Sequence, residues 1–133
     1  MKRVFADTSF YVAIINERDV VHEAARSFSS GYRGDIITTE YVLVELGNWL
    51  ARSVRRERFG IIIKQILADP KTIVVPAERS LLSEGVSLYV SRPDKEWSLT
   101  DCISFVVMGR FGLRDALTVD HHFHQAGFNA LLS

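Results

Sequence analysis

Short apolar runs alternate along the chain with longer stretches in which apolar residues recur at helical spacing. Strands are expected at Val4–Ala6, Asp35–Thr38, Thr72–Val75, Ala116–Val119 and Asn129–Leu132, each short enough for a buried parallel strand. Between them the pattern predicts helices over Ser9–Ile15, Val21–Ser29, Glu40–Arg52, Arg56–Ala68, Ala77–Tyr89 and Leu99–Phe111. The breakers fit this scheme. Gly31 and Gly34 precede the second strand, Pro70 and Pro76 bracket the third, and Gly112 follows the last long helix. Strand and helix in regular alternation predict an α/β domain with a mainly parallel sheet, and no linker or repeat divides residues 1–133. Within Leu99–Phe111, Ile103, Phe105, Val106, Val107 and Met108 leave almost no solvated face, so this helix should be central.

A chain of 133 residues with 47% hydrophobic and 24% charged residues has the balance of a folded domain rather than of a disordered segment. Basic and acidic residues number 16 each, so the overall field gives no pull toward nucleic acid, and such a partner would have to be held locally. Asp7 and Asn16 interrupt the apolar opening before it could serve as a leader, and no apolar run approaches the roughly 20 residues that span a bilayer. The lone Cys102, set among apolar neighbours, is expected as a buried reduced thiol, and the expected location is the cytoplasm.

The chemistry lies in the acids. Asp7 closes the first strand and Asp120 follows the fourth, and in open α/β sheets the carboxyl ends of the strands face the ligand crevice. Asp101 stands in the first turn of its helix, within reach of that crevice. Glu45, inside Val42-Leu43-Val44-Glu45-Leu46, falls on or beside a buried stripe, where an unpaired carboxylate costs several kcal/mol and calls for a cation. Four carboxylates gathered from distant segments repel one another, and one or two divalent cations are the natural compensation. Oxygen-only ligation suits Mg²⁺ or Mn²⁺ better than Zn²⁺. Each acid also has a plain structural reading. Asp7 and Asp120 can cap helices, Ser98-Leu99-Thr100-Asp101 fits a capping box with aspartate in the glutamate place, and Glu45 can pair with Arg52.

These residues, in this order, resemble the PIN-domain ribonucleases, and among them the VapC-type toxins of toxin–antitoxin pairs. The resemblance rests on Asp7-Thr8-Ser9 after the first strand, Glu45 on a mid-chain helix, Ser98-Leu99-Thr100-Asp101-Cys102 at a helix start, Thr118-Val119-Asp120 with Phe123, and the closing Gly127-Phe128. It implies a three-layer α/β/α sandwich and a metal-dependent endoribonuclease that uses Mg²⁺ or Mn²⁺ to hydrolyse RNA. It also implies a homodimer and a cognate antitoxin whose tail fills the acidic cleft. Asp7, Asp101, Asp120 and Glu45 would hold the metal, and Thr8, Ser9 and Thr118 would orient the carboxylates. One departure is His122, where the family often places a further acid.

Other features are weaker. His121 and His124 lie one helical turn apart, but zinc wants three or four ligands, and substrate contact or plain surface is the better reading of these histidines. His22 is expected on a helix surface. Arg52, Arg55 and Arg56 form a basic cluster that could position phosphates or simply sit at a solvated junction. Trp49, Trp97, Tyr11 and Tyr41 are expected as core or interface residues rather than base-stacking platforms. Two further classes stay in view: a binding module of the same fold without catalysis, and an aspartyl phosphotransferase, which the missing Asp-x-Asp opening disfavours.

Overall fold

The computed structural model describes residues 2–52 and 56–133. Five strands, β1 (Arg3–Ala6), β2 (Asp35–Thr39), β3 (Thr72–Val75), β4 (Asp115–Leu117) and β5 (Asn129–Ala130), form one all-parallel sheet in the order β3-β2-β1-β4-β5. Around it, among the described residues, lie α1 (Thr8–Ile15), α2 (His22–Gly31), α3 (Glu40–Trp49), α4 (Arg56–Ala68), α5 (Arg79–Ser91), α6 (Leu99–Phe111) and α7 (His121–Gln125). The predicted α/β architecture is the one observed.

β1 is the central strand, and Val4, Phe5 and Ala6 are all buried, so both faces of the sheet are covered where it passes. Phe5, Ile37, Leu46, Leu81, Ile103, Met108, Leu117 and Phe123 are fully buried, and each such side chain contributes about 1.5–3 kcal/mol by leaving water. α6 is buried nearly all round, as its sequence demands, with Cys102, Ile103, Phe105, Val107 and Met108 in the core. Phe105 meets Trp97 and Phe123 edge-on, with ring centroids 5.1 and 4.9 Å apart. α5 can lie close against α6 because Gly85 has no Cβ, which would collide with Ile103. The end of α6 is closed by Gly112 at φ +64°, a left-handed cap.

Several details differ from expectation, among them the ends of β5 at Ala130 rather than Leu132 and of α3 at Trp49 rather than Arg52. β4 ends at Leu117 rather than Val119; beyond it the Thr118 carbonyl still accepts from the Leu132 amide at 3.1 Å, while its hydroxyl meets Asp7 and the Asp120 amide. The short α7 has too few residues to show a periodicity and was not expected. His22 is a correction. It is buried, with Nδ1 2.7 Å from the Ala13 carbonyl, because the turn before it, with Asp19 accepting from the Val21 amide, folds the start of α2 back onto α1. Among the described residues no helix is long and apolar enough to cross a membrane.

Candidate active site

The strand order sets the location. From β1 the chain builds outward through β2 and β3, then returns to the other side of β1 for β4 and β5. The reversal falls between β1 and β4, and the crevice at their carboxyl ends is where ligands bind in sheets of this kind. Asp7 follows β1 directly, and its amide donates to the carbonyl of Leu117, the last residue of β4, at 3.2 Å.

Asp7 occupies the N-cap position of α1, yet its side chain makes no capping bond. Its Oδ2 instead accepts from the Thr118 hydroxyl at 2.8 Å and the Ser9 hydroxyl at 3.1 Å. The two hydroxyl oxygens also lie 3.1 Å from each other. Burial leaves Asp7 only 5% exposed and pushes its carboxyl up from 3.8 to about 6. The charge of Asp101 pushes in the same direction, while the hydrogen bonds from Thr118, Thr8 and Ser9 pull the other way. Among the described residues no cation is among the causes that act on it.

Asp101 is the third residue of α6 and closes a capping box with Ser98, whose hydroxyl accepts from the Asp101 amide at 3.0 Å. Its own Oδ2 accepts from the Ser98 amide at 3.2 Å and lies 3.2 Å from His122 Nδ1. Burial raises its carboxyl, with the charge of Asp120 adding to the effect and the bonds from Ser98 and His122 opposing it. Asp120 caps α7 by accepting from the His122 amide at 2.9 Å, and its Oδ1 also stands 3.2 Å from His122 Nδ1. Capping therefore accounts for part of what Asp101 and Asp120 do and for none of what the Asp7 side chain does.

α3 starts from Thr39, whose hydroxyl caps the Val42 amide, and its buried stripe of Val42, Leu43 and Leu46 sets Glu45 half-buried at the crevice. The partner of Glu45 is the Thr8 hydroxyl, donating at 2.5 Å, rather than a cation, and among the described residues Glu45 has no ion pair with Arg52 or any other base. Thr8, Ser9 and Thr118 are thus each hydrogen-bonded to one of the acids.

Asp7, Glu45, Asp101 and Asp120 all line a single cavity of about 490 Å³. Asp19 and Glu96 line it too, and among the described residues no lysine or arginine does. Arg52 and Arg56 are exposed elsewhere, with Arg56 donating to the Ala51 carbonyl at 2.7 Å, and Arg55 lies outside the described residues. Sequence reasoning missed Asp19 and Glu96, which carry no local signal of their proximity to the crevice, and Trp49, expected in the core or an interface, is half-exposed at the cavity. Asp120, His121 and His122 form a group whose ligand atoms lie within 4.8 Å of one another, whereas His124 turns away to Ser133.

The fold agrees with the comparisons. Residues 4–129 match the PIN domain family model, and the chain belongs to the PIN-domain family. It is 28% identical over 125 residues to the 23S rRNA-specific endonuclease VapC20 of Mycobacterium tuberculosis, covering 94% of this chain and 95% of the relative. The crystal structure of M. tuberculosis VapC20, titled a Sarcin-Ricin loop cleaving toxin, superposes with a TM-score of 0.85 at 27% identity, with the same coverage of each chain. FitAcB from Neisseria gonorrhoeae, at 14% identity and a TM-score of 0.66 over 96% of this chain and 94% of that one, shares the fold.

Proposed function

We propose that this protein is a metal-dependent endoribonuclease and the toxin of a toxin–antitoxin pair. The observation that carries the reading is the set of four carboxylates, Asp7, Glu45, Asp101 and Asp120, around one cavity without a lysine or arginine in its lining. Asp7 is held at a cost: its carboxyl sits near 6 because burial disfavours the charge and nothing positive repays it. Hard oxygen donors of this kind fit Mg²⁺ or Mn²⁺.

Asp7, Asp101 and Asp120 would hold the ion, with Glu45 at its side. When bound, a divalent cation supplies an acidified water and offsets the negative charge that builds on a phosphodiester under attack. The chain's own residues do the positioning. Ser9 and Thr118 fix the Asp7 carboxylate, Thr8 fixes Glu45, and the capping box fixes Asp101, so that the donors are arranged before any ligand arrives. Hydrolysis adds water to phosphorus and breaks one phosphorus–oxygen bond, leaving one phosphate-terminated and one hydroxyl-terminated fragment.

RNA as substrate is supported by the likeness to VapC20, a 23S rRNA-specific endonuclease and toxin, and a homodimeric state and a cognate antitoxin are part of the same proposal. An antitoxin tail carrying a basic side chain would satisfy the same carboxylates that await the ion. Purified protein with structured RNA and Mn²⁺ or Mg²⁺ is the test. Cutting that stops with chelator and with Asp7→Asn supports the reading, and cutting that survives both abolishes it.

A further inference from the structure

A second cavity, also of about 490 Å³, opens between the end of α5 and the start of α6. Glu96 and Ser98 line both cavities, so the two adjoin. It differs from the acidic one in carrying two basic side chains beside the shared Glu96. Arg92, Lys95, Tyr89 and Trp97 line it, and its size falls within the roughly 300–1,000 Å³ that accommodates a ligand as large as a nucleotide.

We infer that this second cavity is the subsite for an RNA nucleotide flanking the one that is cut, which rests on the ribonuclease reading above. An RNA strand carries one negative charge per nucleotide, and phosphate contacts supply much of its affinity. The acidic cavity can neutralise only the phosphate over its ion, so a strand lying across its rim needs cations close by. Arg92 and Lys95 are the lysine and arginine side chains that line the adjoining cavity. Arg92 is committed: its guanidinium donates to both oxygens of Asp94 at 3.0 and 2.9 Å and lies 5.0 Å from the Trp97 ring centroid. Lys95 has no ion pair among the described residues, though its charge also acts on Asp94, and it is the less committed cation to meet a phosphate.

The aromatic side of the cavity divides in the same way. Trp97 is a fixed wall, buried, with its indole nitrogen donating to Gln125 at 2.9 Å. Tyr89 is 51% exposed on the last turns of α5 and offers a ring face on which a base can stack without regard to its identity. One phosphate contact and one stacking face beside the cutting cavity suit a splayed single-stranded nucleotide better than a duplex, whose bases are hidden.

The test is binding of labelled single-stranded RNA to the Asp7→Asn protein with Mn²⁺, followed by fluorescence anisotropy across a salt series. Lys95→Glu should weaken binding about ten-fold and make the salt slope shallower by about 0.7, one phosphate's worth for a single strand. Lys95→Arg should stay within about two-fold, because the positive charge is retained. Tyr89→Ala should weaken binding roughly ten-fold and Tyr89→Phe should not, since stacking needs only the ring. Light scattering on the same samples should show an unchanged oligomeric state. Affinity unchanged in Lys95→Glu and Tyr89→Ala, with RNA still bound and cut by the parent, overturns the subsite alone. A changed oligomeric state with unchanged affinity assigns this face to contact between copies and also overturns it. A parent protein that neither binds nor cuts RNA removes the ribonuclease reading and the subsite with it.

Discussion

Asp94, in the exposed turn after α5, is clasped by Arg92 through two hydrogen bonds, and that bond chiefly draws its carboxyl down to about 2. Asp7, at the end of the central strand, has only hydroxyl and backbone partners, and burial lifts its carboxyl to about 6. The same side chain is thus paired where its charge is dispensable to function and left uncompensated where four carboxylates share a cavity. An unpaired buried charge destabilises the fold, and its persistence at the switch point of the sheet marks a site built around a missing positive partner. The two adjoining cavities repeat the contrast, one lined by six acids and the other by Arg92 and Lys95.

The contrast breaks most readily at Asp7 itself. Asp7→Asn should lower RNA cutting by more than the roughly 100-fold expected of a residue that only supports a ligand, while circular dichroism shows the fold intact. Thr118→Val should cost about 10–100-fold in metal affinity, measured by calorimetry, because it strips one of two hydroxyls from the Asp7 carboxylate and lifts its pKa further. The stability of the metal-free protein sharpens the same point. The folded value of Asp7, about 6, lies above the unfolded 3.8, so its proton is held more tightly in the native state. Its contribution is most favourable below pH 4 and is lost as pH rises through 4 to 6; above that window the penalty is on the order of 3 kcal/mol. Asp7→Asn should flatten that part of the stability profile and raise the melting temperature at pH 7. An unaltered profile would show that Asp7 is not strained.

Away from the cavity the effects should be structural and smaller. Gly85→Ala forces a methyl group against Ile103 and should cost about 1–3 kcal/mol in denaturant unfolding, with cutting per folded molecule unchanged. Arg56→Glu should weaken RNA binding less than Lys95→Glu does, since Arg56 is tied to the Ala51 carbonyl and lines neither cavity. Equal losses would return the phosphate-positioning role to the basic stretch.

The apolar runs of β1, β2 and β3 and the all-round hydrophobicity of α6 were legible because strand and helix spacing is a local property. Asp7, Asp101 and Asp120 could be placed near one crevice because each adjoins an element end whose direction follows from parallel topology. The extent of β4 was not legible, because the apolar run through Val119 does not show that Thr118 turns toward the crevice, where its hydroxyl meets Asp7 at the far end of the chain. Nor was the partner of Glu45: its position beside a buried stripe suggests a cation, and only the fold reveals the Thr8 hydroxyl beside it. His22 misled for the converse reason, since an isolated polar residue at a helix start carries no sign that the turn before it will bury its ring.

The most direct examination is a crystal of the protein equilibrated with Mn²⁺ and measured at a wavelength where manganese scatters anomalously. An anomalous peak about 2.1–2.2 Å from oxygens of Asp7 and Asp101, with Asp120 or Glu45 completing its surroundings, is the predicted result. A cavity that stays empty at millimolar Mn²⁺, or a peak confined to Asp120, His121 and His122, would contradict the account.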